Sequence, residues 1–412
     1  MGQSQSHRIP GIWNGLKWAL QPEHAGGGVT RGRLFWRALK ATSGHGRAMS
    51  RWMSVAWELH SRGLVKDLPG EYLRAVRPSV HRDVSFSERV VQLIDHMDWV
   101  EGAFQRGALE KLLAGRAISI VELTAPRGYD YMRVQVQQAH MHSPEGELLL
   151  TLVAQRSDDI QHKAQPMEVA VLAFSRFRIG DKPCLVIGGV RGQRNPVQRI
   201  SPMELNQGLQ GWKPSVLLVR VAQELARFWQ LHLVGLDPAA HRLHHWSYRW
   251  QSRYREAGQK IFASYDALWD HFDCKPGPLG WVVIPLNSDE KLAATALSPE
   301  KRARQTRRAD YWIRTRNVMR VEFRRILQKP MREARFSHIT ETMDRESMRA
   351  RLNYMDPDDS EDPQDSEDSD DVVPSRVLET GPGIQREAAA AFDRRWIADR
   401  VRNDRPHLSC RT

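Results

Sequence analysis

The residues best placed to do chemistry lie between Cys184 and Trp269. The run Leu185-Val186-Ile187-Gly188-Gly189-Val190-Arg191-Gly192 sets glycines directly after a strand-like stretch. Without Cβ atoms the backbone amides there can approach an anionic group closely, and a helix beginning nearby would add its N-terminal dipole. Lys213 stands immediately before Pro214, where proline suits the first position of a helix, and would bring a cation to the same place. Gly189, Gly192, Gly211 and Lys213 are therefore candidate phosphate-binding residues; tight turns in a packed domain account for the same glycines equally well. Neither GxxxxGK(S/T) nor GxGxxG occurs, which excludes a P-loop and the dinucleotide fingerprint. His241, followed by His244 and His245, is a candidate polar site residue. No Cys, Asp or Glu stands at a spacing that would complete a zinc site, so no metal is expected. No GxSxG elbow supports a serine hydrolase.

The elements that must position these residues follow from periodicity. From Leu34 to Leu113 apolar residues recur at helical spacing, as in Val90, Ile94, Met97 and Val100, with Trp36, Trp52 and Trp57 expected in the same layer. The period then changes. Ile118–Leu123, Tyr131–Val136, Glu147–Val153, Glu168–Phe174 and Pro183–Gly188 read as short strands separated by turn signals such as Pro126-Arg127-Gly128 and Gly180-Asp181-Lys182. Connectors this short predict an antiparallel meander. A helix from Pro214 carries Leu217, Leu218, Val221, Leu225 and Trp229 on one face; Leu231–Leu236 follows as a strand. A helical run closes on Tyr265-Asp266-Ala267-Leu268-Trp269, Trp281–Ile284 is another strand, and Lys301 to Arg325 is an arginine-rich helix. The expected organisation is a flexible leader over 1–32, a helical region over 33–115, an α+β core over 116–330 and disordered tails, with 331–412 largely acidic or basic tail and a short terminal helix.

Composition narrows the function classes. With 41% hydrophobic and 27% charged residues the chain reads as a water-soluble globular protein. No window approaches the roughly 18 apolar residues of a membrane-spanning helix, and no export signal is expected at the N-terminus. Met1-Gly2-Gln3-Ser4-Gln5-Ser6 fits an acylation pattern, for which chance is the simpler account. Cys184, Cys274 and Cys410 are scattered, which excludes a disulfide framework and suits a reducing, cytoplasmic setting. The 61 Lys and Arg outnumber 49 Asp and Glu by 12, yet ten of the acids fall within 356–371, where no Lys or Arg stands. The remainder carries a basic surplus of 22. An anionic lipid or other polyanion is the partner class this charge points to, with peripheral contact at the inner membrane as one consequence and non-specific nucleic-acid binding as another. Glu224, on the Pro214 helix, is expected to be a solvated residue.

Several motifs, in order, resemble the VirK/YbjX family of proteobacterial proteins, whose biochemical activity is not established. Glu145-Gly146-Glu147-Leu148-Leu149-Leu150-Thr151-Leu152 matches its acidic-glycine strand, Ile187-Gly188-Gly189-Val190-Arg191-Gly192 its glycine turn with Arg191 in place of Gln, and Gln210-Gly211-Trp212-Lys213-Pro214-Ser215 a reduced form of its pre-helix block. His241, Tyr265-Asp266-Ala267-Leu268-Trp269 and Lys301-Arg302-Ala303-Arg304-Gln305-Thr306-Arg307-Arg308 complete the series. The resemblance spans Leu34 to Ile326 and implies a role in virulence, envelope integrity and resistance to antimicrobial peptides, with an envelope component as acceptor or partner. The element order is also similar to the acyl-CoA N-acyltransferase (GNAT) fold. On that reading an acyl-CoA donor lies between Gly192 and Lys213, Tyr265 is the general acid toward the departing thiolate, and His241 or Glu224 deprotonates an amine. Two departures stand against it: the GNAT glycine signature is out of register at Gln207-Gly208-Leu209-Gln210-Gly211, and some 20 residues separate Arg191 from Lys213. The non-catalytic alternative keeps the same fold and binds an acidic lipid or protein.

Overall fold

The computed structural model describes residues 11, 13–24, 31–77, 79–139, 145–157, 166–193, 200–242, 265–286 and 298–328. Strands β1 (Ile118–Leu123), β2 (Tyr129–Gln138), β3 (Leu148–Arg156), β4 (Met167–Ile179) and β5 (Lys182–Gly192) form the expected antiparallel meander. The β4–β5 turn depends on Gly180, whose φ of +59° lies in the left-handed region that disfavours a side chain. Strand β6 (His232–Leu236) then joins β5 in parallel, and β8 (Trp281–Val283) and β7 (Lys275–Pro276) complete an eight-stranded sheet in the order β1-β2-β3-β4-β5-β6-β8-β7. A parallel neighbour requires a crossover. Helix α8 (Pro214–Trp229) supplies it, burying Leu217, Leu218, Val221 and Leu225 against the sheet. Helix α7 (Pro202–Gly208), opened by a Ser201/Glu204 capping box, occupies part of the long β5–α8 connection.

Six helices precede the sheet: α1 (Asn14–Ala19), α2 (Arg31–Gly44), α3 (Gly46–Ser61), α4 (Leu68–Ala75), α5 (Phe86–Ala103) and α6 (Arg106–Leu113). They share one apolar core with the sheet: Trp52, Leu93 and Ile94 belong to the same cluster as Leu150, Leu185 and Leu217. The regions expected at 33–115 and 116–330 are thus packed as one. Ring contacts tie α5 to α8, with Trp99 edge-on to Trp229 at 4.7 Å. Two expectations are corrected here. The 1–32 stretch is not leader throughout, because α1 packs Trp18 against Tyr72 and leaves no room for a Cβ at Gly15 beneath the same ring. Trp36 is 67% exposed rather than in the core, whereas Trp52 is fully buried.

After β6, helix α9 (265–271) leads into β7 and β8. The last described helix, α10 (Pro299–Ile326), buries only Tyr311, Thr315, Met319 and Phe323, a narrow stripe at every fourth position. It is fixed by Trp212 Nε1 donating to the Arg308 carbonyl at 3.2 Å and by Phe228 against Phe323 at 5.7 Å. The tails, including 356–371 and the expected terminal helix, lie outside the described residues.

Candidate functional site

The acidic-glycine strand does two structural jobs. Gly146 passes so close to β4 that an added Cβ would lie 2.6 Å from the Phe174 nitrogen. On its far side Glu147 is buried, its backbone N–H shared between the Phe174 carbonyl and Ser175 Oγ, both at 3.1 Å. Its carboxylate receives Arg77 and Arg89, and Arg74 Nη1 at 3.1 Å; Arg74 also makes a two-point contact with Glu71 at 2.8 and 2.9 Å. Burial alone would raise the Glu147 carboxyl, but the three guanidinium groups override it and hold the acid well below its usual range. His96 lies in the same environment. Burial pushes it down to about 3, so it is neutral, and Nδ1 accepts the Arg176 N–H at 3.1 Å. These groups came from α4, α5 and the β3 entrance, and sequence spacing gave no sign that they meet.

On the near side, the glycines of β5 serve the same hairpin. The β4–β5 register passes from Ala173↔Gly189 to Phe174↔Ile187, leaving Gly188 as a bulge. A Cβ at Gly188 would sit 1.9 Å from the Glu145 carbonyl oxygen, and one at Gly189 would sit 2.7 Å from the Glu145 carboxyl group. Both glycines admit residue 145, which then pairs with Arg191 at 3.1 Å. Gly189 is therefore occupied by protein on that side, not by open space for an anion.

Beyond the bulge the sheet opens. The parallel β5–β6 pairing ends at Ile187↔Gly235, while β5 runs on to Gly192 alongside β4 alone. In sheets with adjacent parallel strands, a crevice beyond their carboxyl ends is the usual place for a ligand. A cavity of about 420 Å³ lies here, lined by Val190, Arg191, Gly192, Pro214, Ser215 and Leu268 among others. Its wall thus joins the end of β5 to the first turn of α8 and to α9. Pro214 occupies the first helical position of α8, and Lys213 at its N-cap makes no side-chain cap, so the first-turn amides keep their capacity for an acceptor.

Tyr265 stands at the edge of this opening. Its hydroxyl oxygen accepts the Val190 N–H at 3.2 Å, an amide that β6 would otherwise face. Burial, and then the neighbouring Glu145 charge, raise the Tyr265 hydroxyl above its ordinary value, while the Val190 bond acts the other way. The group therefore stays protonated. Gly235 lets the Trp269 ring lie across β6, 2.6 Å from where a Cβ would be, and Trp269 Nε1 donates to the Leu236 carbonyl at 3.0 Å.

Of the sequence-derived residues, Gly192 lines the cavity and Lys213 and Tyr265 adjoin its walls. Gly211 instead takes a φ of +86° with Arg308 and Arg304 on its open side, and its carbonyl accepts from Arg308. His241 is not among the lining residues. It is buried and bridges His81, whose Nε2 donates to the Leu279 carbonyl at 2.6 Å. Glu224 is corrected outright: it is buried, gripped by Arg227 and by Arg320 from α10 at 3.1 Å, so it is neither solvated nor free to act as a base. His244 and His245 lie outside the described residues; among the described ones no group of three or more His, Cys, Asp or Glu could hold a metal ion. Among the same residues no helix is long and apolar enough to cross a membrane.

The architecture is that of a mixed α+β protein whose mainly antiparallel sheet is split once, at a parallel pair, with a cavity at the split. The family model described as "Protein of unknown function (DUF535)" matches residues 35–314, and the chain belongs to that family, the VirK/YbjX family of the sequence comparison above. The match covers the helical layer from within α2 onward, the sheet and the first half of α10. An uncharacterized protein of Haemophilus influenzae is 23% identical over 186 residues, 45% of this chain and 55% of its own length. The chain thus spans about half the length of that curated relative. No solved structure matches.

Proposed function

We propose that the protein is a GNAT-like acyltransferase whose acyl-CoA-type donor occupies the cavity between the free end of β5 and the first turn of α8. The observation that carries this reading is the parting of β5 from β6 after Ile187↔Gly235, with the cavity at the gap and the Tyr265 hydroxyl bonded to Val190 in its wall. The order of antiparallel strands, crossover helix, parallel strand, tyrosine-bearing helix and returning strand supports it. In this reaction an acceptor amine attacks the thioester carbonyl, a C–N bond forms and the C–S bond breaks. Tyr265 gives its proton to the departing thiolate and recovers one from solvent; the proton lost by the amine passes to water, since Glu224 is sequestered and His241 does not line the cavity. Lys213 and the α8 amides meet the donor's phosphates. The acceptor is an envelope component, and the family's association with virulence and antimicrobial-peptide resistance would follow from its modification.

The test is thiol release from acetyl-CoA or a long-chain acyl-CoA in the presence of envelope amines. Tyr265→Phe should lower turnover by about 10²-fold, the scale of a lost general acid, while leaving donor binding within a fewfold. Equal turnover in Tyr265→Phe contradicts the assigned role. A second reading, a non-catalytic binder of acidic partners, is favoured by one observation: α10 carries ten Lys and Arg against three Asp and Glu, mostly exposed.

A further inference from the structure

Helix α10 buries four residues, packs Trp312 and Ile326 partly against the core, and is rich in arginine over most of its remaining surface. Lys301, Arg302, Arg304, Arg307, Arg314, Arg320, Arg324 and Arg325 are all exposed. At 100° per residue, Arg307, Arg314, Val318, Val321 and Arg325 fall on one outward stripe, and Val318 and Val321 are 53% and 65% exposed. Exposed valines among arginines on a single helix face are an unpartnered surface with a definite chemistry: an acidic occupant carrying some apolar residues.

The same chain contains a segment of that description. Residues 356–371 hold ten Asp and Glu with no Lys or Arg, bracketed by Tyr354-Met355 and Val372-Val373. Twenty-nine residues lie between Ile326 and Asp356; even at random-coil dimensions a chain of that length spans roughly 30 Å, against about 42 Å for a 28-residue helix. We propose that the outward face of α10 is the docking surface for the acidic segment 356–371 of this chain, which thereby competes with external polyanions for the helix. Tethering at this length gives an effective concentration on the order of millimolar, so a segment of only sub-millimolar intrinsic affinity occupies the face most of the time. Ion pairing of this exposed kind weakens with salt.

The test uses a labelled peptide of residues 354–373, titrated in about 0.1 M salt into the full chain and into a chain lacking 356–371. The deleted chain should bind saturably, and about tenfold more tightly than the full chain, whose face is already occupied. The triple variant Arg307→Gln, Arg314→Gln, Arg325→Gln in the deleted chain should lose most of that affinity. The triple variant Lys17→Gln, Lys40→Gln, Arg47→Gln, which removes the same charge from exposed sites on the N-terminal helices, should keep it. Thermal melting verifies that each variant is folded. Absence of saturable binding, equal binding by full and deleted chains, or equal loss in the two triple variants overturns the proposal, the last by showing net charge alone at work. None of these outcomes depends on acyl transfer.

Discussion

Glu147 and Tyr265 stand at opposite ends of the same problem. Around Glu147 a buried carboxylate is met by Arg74, Arg77 and Arg89, and every group is turned inward to join α4 and α5 to the sheet. Around Tyr265 the sheet loses a strand partner, one hydroxyl replaces it at the Val190 amide, and about 420 Å³ of space remains beside it. The first region concentrates charge and uses it for position. The second has a single surface ion-pair cluster, Arg191 with Glu145 and Glu168, beside open space. Dense charge in this protein therefore builds structure, and the strand divergence is where a ligand site is proposed.

The contrast can be broken from either side. The largest effect is expected at Glu147→Ala, which removes the carboxylate that Arg74, Arg77 and Arg89 share and should cost about 3–5 kcal/mol, read by denaturant unfolding. A cost below about 1 kcal/mol would mean that the cluster is not what joins the layers. Gly188→Ala comes next. Its Cβ would collide with the Glu145 backbone, and a loss of about 1–3 kcal/mol is expected, as for other overpacked sites. The pH dependence sharpens the same region. His96 is held neutral with its value near 3 by burial, below its unfolded 6.5, so the unfolded chain binds the extra proton first. Its stabilising contribution is complete above about pH 6.5 and is lost as pH falls toward 3, by at most about 1.4 kcal/mol per unit. His96→Phe should flatten that slope if the variant folds. Smallest should be Lys213→Ala, with stability unchanged within about 0.5 kcal/mol, as for surface substitutions generally, but with donor affinity reduced.

The sheet was legible because its signals are local. The short β-rich runs of β1 to β5 and the glycine turn at Gly180 are read within a dozen residues, and the crossover helix announces itself through Pro214 and a single apolar face. What the sequence hid depends on long separations. Arg74, Arg77 and Arg89 reach Glu147 from 73, 70 and 58 residues away, and Glu224 meets Arg320 across 96. Each looks like an ordinary charged helix position until the fold is closed. Trp36 fails for a different reason, since helical spacing shows that a residue shares a face but not whether that face is covered. At the site, it was the resemblance to the GNAT element order that grouped Gly192, Lys213 and Tyr265. The roles of Gly188 and Gly189 were not, because a glycine that admits a ligand and one that admits Glu145 look the same in one dimension.

The proposed acyl-donor site is the cavity at the β5–β6 divergence. Calorimetric titration of acetyl-CoA and a long-chain acyl-CoA into the full chain tests this directly, with Ser215→Trp as the variant that fills the cavity wall. The account predicts saturable binding to the native chain, weakened at least tenfold by Ser215→Trp in a protein of unchanged melting temperature. Absence of binding by the folded native chain, or binding indifferent to Ser215→Trp, would contradict it.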